Sequence, residues 1–148
     1  YASYQMKWKE YYESGGIVLA DRYTTSNMVH QAVKIEDAAE REAYIAWLSD
    51  FEYDKLDLPR PDGVIFLDMA PAVSDRLLTA RAKAEGRGDI HETDRAYLHR
   101  CHEAYRKVAA RFGWHRILCS VDDAPRPAED IAAEVYAAAM AVIEGKAT

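Results

Sequence analysis

Along this chain, apolar residues recur at helical spacing in several stretches and crowd together without period in a few short ones. Tyr1, Tyr4, Trp8 and Tyr11 lie three to four positions apart. Residues up to about Glu13 therefore read as the end of an amphipathic helix, which Ser14-Gly15-Gly16 stops. Residues 16–20 (GIVLA) are aliphatic and β-branched and predict a short buried strand. A turn at Asp21-Arg22-Tyr23 follows, then a short helix with Thr24, Thr25 or Ser26 near its start. Tyr44, Trp47, Leu48 and Phe51 form an i, i+3, i+4, i+7 stripe within a helix from Asp37 to about Tyr53. Pro59-Arg60-Pro61 forces an extended connection into a second buried strand at residues 64–67, which ends at Asp68. Pro71 is placed to open a helix with Val73, Leu77 and Ala80 on one face. Residues 84–89 (AEGRGD) are the strongly loop-like interior stretch. Leu98, Cys101, Tyr105, Val108 and Phe112 then mark a long helix that Gly113 ends. Residues 116–120 predict a third strand, and Ile131, Val135, Ala138 and Val142 a last helix.

Strands that alternate with helices across connections of this length predict parallel crossovers, hence an α/β layered sheet. The 148 residues suit one domain, and 49% apolar content is enough for a sizeable core. No run approaches the roughly 18 apolar residues of a membrane span, and no signal peptide is visible. Cys101 and Cys119 have no metal-ligand spacing. Two thiols without a secretory signal point to a reducing, cytoplasmic setting. The net charge of −6 argues against a broad nucleic-acid surface. An anionic ligand must then be held by local basic clusters, around Arg22 and between Arg76 and Arg106.

Asp21 and Arg22 stand at the carboxyl end of the first predicted strand, where open α/β sheets bind ligands. Arg22 presents a planar fork of donors that matches phosphate oxygens, although a surface ion pair with Asp21 is the plainer reading. Asp21 can orient Arg22 or hold Mg²⁺ through water. Ser26 and Asn27 alone read as turn or capping chemistry. Arg76, Arg81 and Arg87, followed by Asp89-Ile90-His91-Glu92, read either as a solvated helix face or as a mobile lid over residues 81–92. Such a lid supplies cations that neutralise a transferring phosphoryl group.

Two motifs then act as a pair. Residues 21–27 (DRYTTSN) fit D-R-Y-x-x-S-N, and residues 58–68 (LPRPDGVIFLD) fit L-P-x-P-D-x-x-x-x-L-D. Together they resemble the thymidylate kinases. The resemblance implies a three-layer α/β/α parallel sheet of the P-loop nucleotide kinase type, and phosphoryl transfer from ATP to dTMP with Mg²⁺. It also implies a homodimer. Under it, Arg22 binds the acceptor phosphate and Asp21 lies by the metal. Asn27, whose amide both donates and accepts, reads the O4 and N3–H edge of thymine. Tyr23, Ser26, Gln31, Tyr1 and Tyr4 line the acceptor pocket. His30 stands where many members have the Tyr that crowds the sugar 2′ position. Arg81 and Arg87 serve the donor phosphates and catalysis, and Val121 and Asp122 pack beside the adenine. Ile90 occupies the lid position that is usually Arg.

The chain contains no G-x-x-x-x-G-K-S/T loop, which such a phosphotransferase needs to cradle the donor phosphates. The expectation is that an amino-terminal part, with the loop and a central first strand, is missing. A core lacking that strand has a gap and is expected not to fold alone. A deoxynucleoside or broader deoxynucleotide kinase of the same fold, and a noncatalytic nucleotide-binding protein, stay open as alternatives.

Overall fold

A computed structural model describes residues 1–84 and 92–145, with the side chains of 92–94 left aside. It divides into two compact units, Tyr1–Arg60 and Pro61–Thr148.

The first unit is helical. A wide π-type segment, Tyr4–Trp8, runs into α1 (Lys9–Glu13). Gly15, at φ 89°, reverses the chain in the left-handed region that favours glycine. Residues 16–20 form no strand. A strand needs a neighbour for its backbone groups, and no described residue supplies one. Ile17 and Leu19 are exposed as a result, so the strand expected there is corrected to an irregular segment. Next come α2 (Thr25–His30), a 3₁₀ turn (Ala32–Lys34) and α3 (Ala38–Ser49). Asp37 caps α3 as its side chain accepts from the Glu40 backbone N–H at 2.8 Å. The α3 helix widens without a break into a second π segment, Asp50–Lys55. Tyr4, Met28, Leu48, Tyr53 and Leu58 are the core of this unit, with Trp8, Tyr12, Tyr23, Tyr44 and Leu56 packed against it.

The second unit holds β1 (Ile65–Asp68), α4 (Pro71–Ala84), α5 (Glu92–Arg111), β2 (His115–Leu118), β3 (Ser120–Val121), β4 (Ala124–Pro125) and α6 (Ala128–Ile143). The strands β1 and β2 pair in parallel, Ile65 with His115 through Asp68 with Leu118, and α4 and α5 form the crossover between them. Val73, Cys101, Val108 and Ile117 are buried here, and Phe66 stacks on Tyr105 of α5 at 5.3 Å. The α/β expectation holds as a helix-rich chain with a small parallel sheet. The third predicted strand is divided. Residues 115–118 join β1, while Ser120 and Val121 pair with Ala124 and Pro125 in an antiparallel hairpin. Asp122 and Asp123 take φ 49° and 58° at its tip, the left-handed pair that two-residue hairpins require. Among the described residues no helix is long and apolar enough to cross a membrane.

Candidate functional site

A cavity of about 530 Å³ opens in the first unit. Its wall includes the irregular 18–20 segment, Asp21, Arg22, Tyr23 and Asn27, with Tyr4 and Trp8 from the first π segment and Phe51 and Glu52 from the second. π segments are rare and recur at functional sites, because the wider turn re-aims the side chains. Here the first one packs Tyr4 against Trp8 edge to face at 4.7 Å, which makes an aromatic wall.

The turn that carries the motif is strained. Arg22 adopts φ 67°, a left-handed conformation that costs a side-chain-bearing residue about 1–2 kcal/mol. The strain coincides with an exposed guanidinium at the cavity rim, and strained backbone tends to cluster at ligand sites. Arg22 Nε reaches Ser26 Oγ at 3.4 Å. Tyr23 is tied down by its hydroxyl, which donates to the Pro59 carbonyl at 3.0 Å. Burial, with Tyr53 and Glu52 nearby, pushes its phenol up to about 12. It therefore stays a hydrogen-bond donor at any ordinary pH. Thr24 Oγ1 and the Tyr53 hydroxyl lie 2.6 Å apart.

Asn27 Nδ2 donates to Glu52 Oε1 at 3.2 Å. Glu52 is 7% exposed, and its Oε2 is buried with no hydrogen-bond partner. Burial pushes its carboxyl above the usual range, against the pull of the hydrogen bond from Asn27 and of the nearby Thr24 hydroxyl. The sequence reading missed Glu52 as a site residue. Its signal is an acid four positions after Leu48, on the buried side of a helix otherwise lined by apolar residues.

Of the residues expected in the acceptor pocket, the cavity wall brings together Tyr1, Tyr4, Asp21, Arg22, Tyr23 and Asn27. Ser26, His30 and Gln31 follow on or just after α2 without lining it. Gln31 instead accepts from Lys34 Nζ at 3.0 Å. Burial, then the charges of Arg22 and Lys34, hold His30 below its ordinary range.

Within the second unit, Arg81 lies in the last turn of α4, Val121 on β3 and Asp122 at the hairpin tip. Arg87, with Asp89 and His91, lies outside the described residues. Asp68, at the carboxyl end of β1, is 4% exposed. It accepts from Arg116 Nε at 2.5 Å and shares a 2.5 Å contact with His102 Nε2, while Arg106 approaches to 3.8 Å. Burial pushes its carboxyl up, but the bonds to His102 and Arg116 outweigh it and hold the group below the usual range. Among the described residues no group of three or more His, Cys, Asp or Glu could hold a metal ion.

No protein-family model matches the chain, and no solved structure matches it. Curated relatives do. A thymidylate kinase of Leifsonia xyli is 36% identical over 128 residues, 83% of this chain and 53% of its own length. One from Mycobacterium tuberculosis is 31% identical over 100 residues, 66% of this chain and 46% of its own length. One from Geobacillus thermodenitrificans is 28% identical over 135 residues, 90% of this chain and 55% of its own length. The chain thus spans about half the length of the curated relatives it matches. Over most of its residues, then, the chain is similar to the thymidylate kinases.

Proposed function

We propose that the chain carries the acceptor site of an enzyme that transfers a phosphoryl group from ATP to dTMP, giving dTDP. The observation that supports this most is the cavity itself. One concave wall joins a guanidinium at the rim (Arg22), an amide (Asn27) and an aromatic face (Tyr4 and Trp8), the groups that a phosphate, a base edge and a base plane each call for. Arg22 grips the acceptor phosphate, Asn27 reads the base, and Tyr1, Tyr4 and Tyr23 shape the pocket. Ser26 steadies Arg22, and His30 and Gln31 close the far end of α2.

Catalysis of this kind comes from positioning and charge neutralisation. Mg²⁺ supplies charge neutralisation on the phosphates when bound. Its common setting is one or two carboxylates together with substrate phosphates, and exposed Asp21 on the cavity wall suits that role. Arg81 and Arg87 take the donor phosphates from a lid over residues 81–92, and Val121 and Asp122 take the adenine. The reading is of one kinase domain in a cytoplasmic homodimer, and the two buried free thiols agree with a reducing compartment.

The test is phosphoryl transfer by the full protein across the four deoxynucleoside monophosphates. dTMP is expected to react fastest, ahead of thymidine itself. Arg22→Ala is expected to raise the acceptor KM and depress kcat. If both stay within threefold of wild type, Arg22 does not hold the acceptor.

A further inference from the structure

The cavity contains an acceptor that nothing above uses. Glu52 Oε1 is occupied by Asn27 Nδ2, but Oε2 is buried without a partner, on a side chain that lines the cavity. A buried polar atom left unpaired is costly, and native structures retain few. Two explanations compete: a purely structural role for the carboxyl, or a ligand that supplies the missing donor. The structural role is already met by the bond to Asn27, and it leaves Oε2 idle. The second explanation accounts for both oxygens.

Resting on the reading of this cavity as a thymine-nucleotide site, we propose that Glu52 Oε2 accepts a hydrogen bond from the imide N–H of the bound base and so sets pyrimidine specificity. The geometry of the pair explains why an imide suits it. A carboxylate only accepts, so it fixes which end of the Asn27 amide faces it: Nδ2 donates one hydrogen to Oε1 and keeps a second. That second hydrogen is free for a ring carbonyl. Asn27 and Glu52 side by side therefore offer a donor and an acceptor, the complement of the carbonyl and N–H on a thymine edge. Cytosine offers an amine and a bare ring nitrogen there, which places a lone pair against the carboxylate. Tyr4 and Trp8, set edge to face, provide the aromatic side of the cavity beside these polar contacts. Glu52 thus shares with Asn27 the base reading otherwise given to Asn27 alone.

Calorimetric titration of the full protein with dTMP, dCMP and N3-methylated dTMP tests this. Wild type is expected to bind dTMP at least tenfold tighter than either of the others. In Glu52→Gln the side-chain oxygen keeps the bond from Asn27, and its amide then points a donor at the base. dTMP affinity should fall about tenfold, dCMP affinity should rise, and the penalty for the N3-methyl group should shrink to within threefold. If Glu52→Gln binds dTMP within twofold of wild type, or pays the full methyl penalty, the inference is wrong while the dTMP reading stands. If the variant loses dCMP rather than dTMP, the donor is an exocyclic amine and the imide assignment is wrong. If wild type does not bind dTMP, the reading of the cavity falls and takes this inference with it. If wild type pays no penalty for the N3-methyl group, the inference is wrong, and this arm holds even if the variant fails to fold.

Discussion

Arg22 holds a conformation that its own side chain disfavours, at φ 67°, and this separates what the residue does for the fold from what it does for a ligand. Glycine removes the left-handed penalty but adds unfolded-state entropy, two effects of similar size near 1 kcal/mol. Arg22→Gly is therefore expected to leave stability unchanged or raise it by about 1 kcal/mol in urea unfolding, while acceptor affinity falls at least tenfold. A variant that unfolds more easily and still binds would mean that the guanidinium serves the fold. Tyr23 is the contrast. Its hydroxyl bonds the Pro59 carbonyl in a part-buried setting, so Tyr23→Phe should cost about 1 kcal/mol in the same measurement. The rim of the site was legible in the sequence because Asp21-Arg22-Tyr23 and Ser26-Asn27 are consecutive and chemically distinctive. Glu52 was not, because its partner Asn27 is 25 positions away and a surface acid is the ordinary reading of a Glu on a helix.

Helices were read well because each carries its own period and its own stop. Asp37 is an example: an Asp before a run of helix formers, which the structure shows capping Glu40 N–H. Asp37→Ala should lower stability by about 1 kcal/mol, checked by thermal melting. A change under 0.3 kcal/mol would mean that the cap adds nothing. Strands were read less well, since a strand exists only through a partner. Residues 16–20 have the composition of a buried strand and lie outside any sheet, whereas residues 65–68 and 115–118 find each other. The π segments at Tyr4–Trp8 and Asp50–Lys55 have no sequence period of their own and left only their apolar stripe visible. The hairpin at residues 120–125 was missed for a similar reason. Asp122-Asp123 is a weaker turn signal than the Asn-Gly or Asp-Gly that usually marks such a turn. Asp123→Gly supplies the favoured pair at φ 58° and keeps the backbone carbonyl that Arg76 contacts. It should raise stability by about 0.5 kcal/mol.

At the scale of the whole chain, two buried carboxyls of opposite character push stability in opposite directions as pH changes. Asp68 is held below its ordinary range: burial acts against ionisation, but the bonds to His102 and Arg116 prevail. Its stabilising contribution is therefore fully present above the unfolded aspartate value of about 3.9, and it is lost as pH falls through the lower folded value. Glu52 is raised by burial, so the sign reverses. Its protonated form suits the fold, and stability is lost as pH rises through the folded value. The two can be read separately. Asp68→Asn leaves Arg116 and His102 facing a neutral amide. Both partners touch solvent, at 40% and 18% side-chain exposure, so the cost is set near that of one charged hydrogen bond, about 2 kcal/mol at pH 7. Glu52→Gln removes a buried charge and should raise stability at pH 7. Near pH 3, below the unfolded values of both groups, each difference should shrink. Urea unfolding of the full protein at pH 7 and pH 3, for wild type and both variants, measures all of this. Were Asp68→Asn to cost as much at pH 3 as at pH 7, packing rather than charge would be what Asp68 contributes, and the acid limb of the stability curve would have to come from other carboxylates.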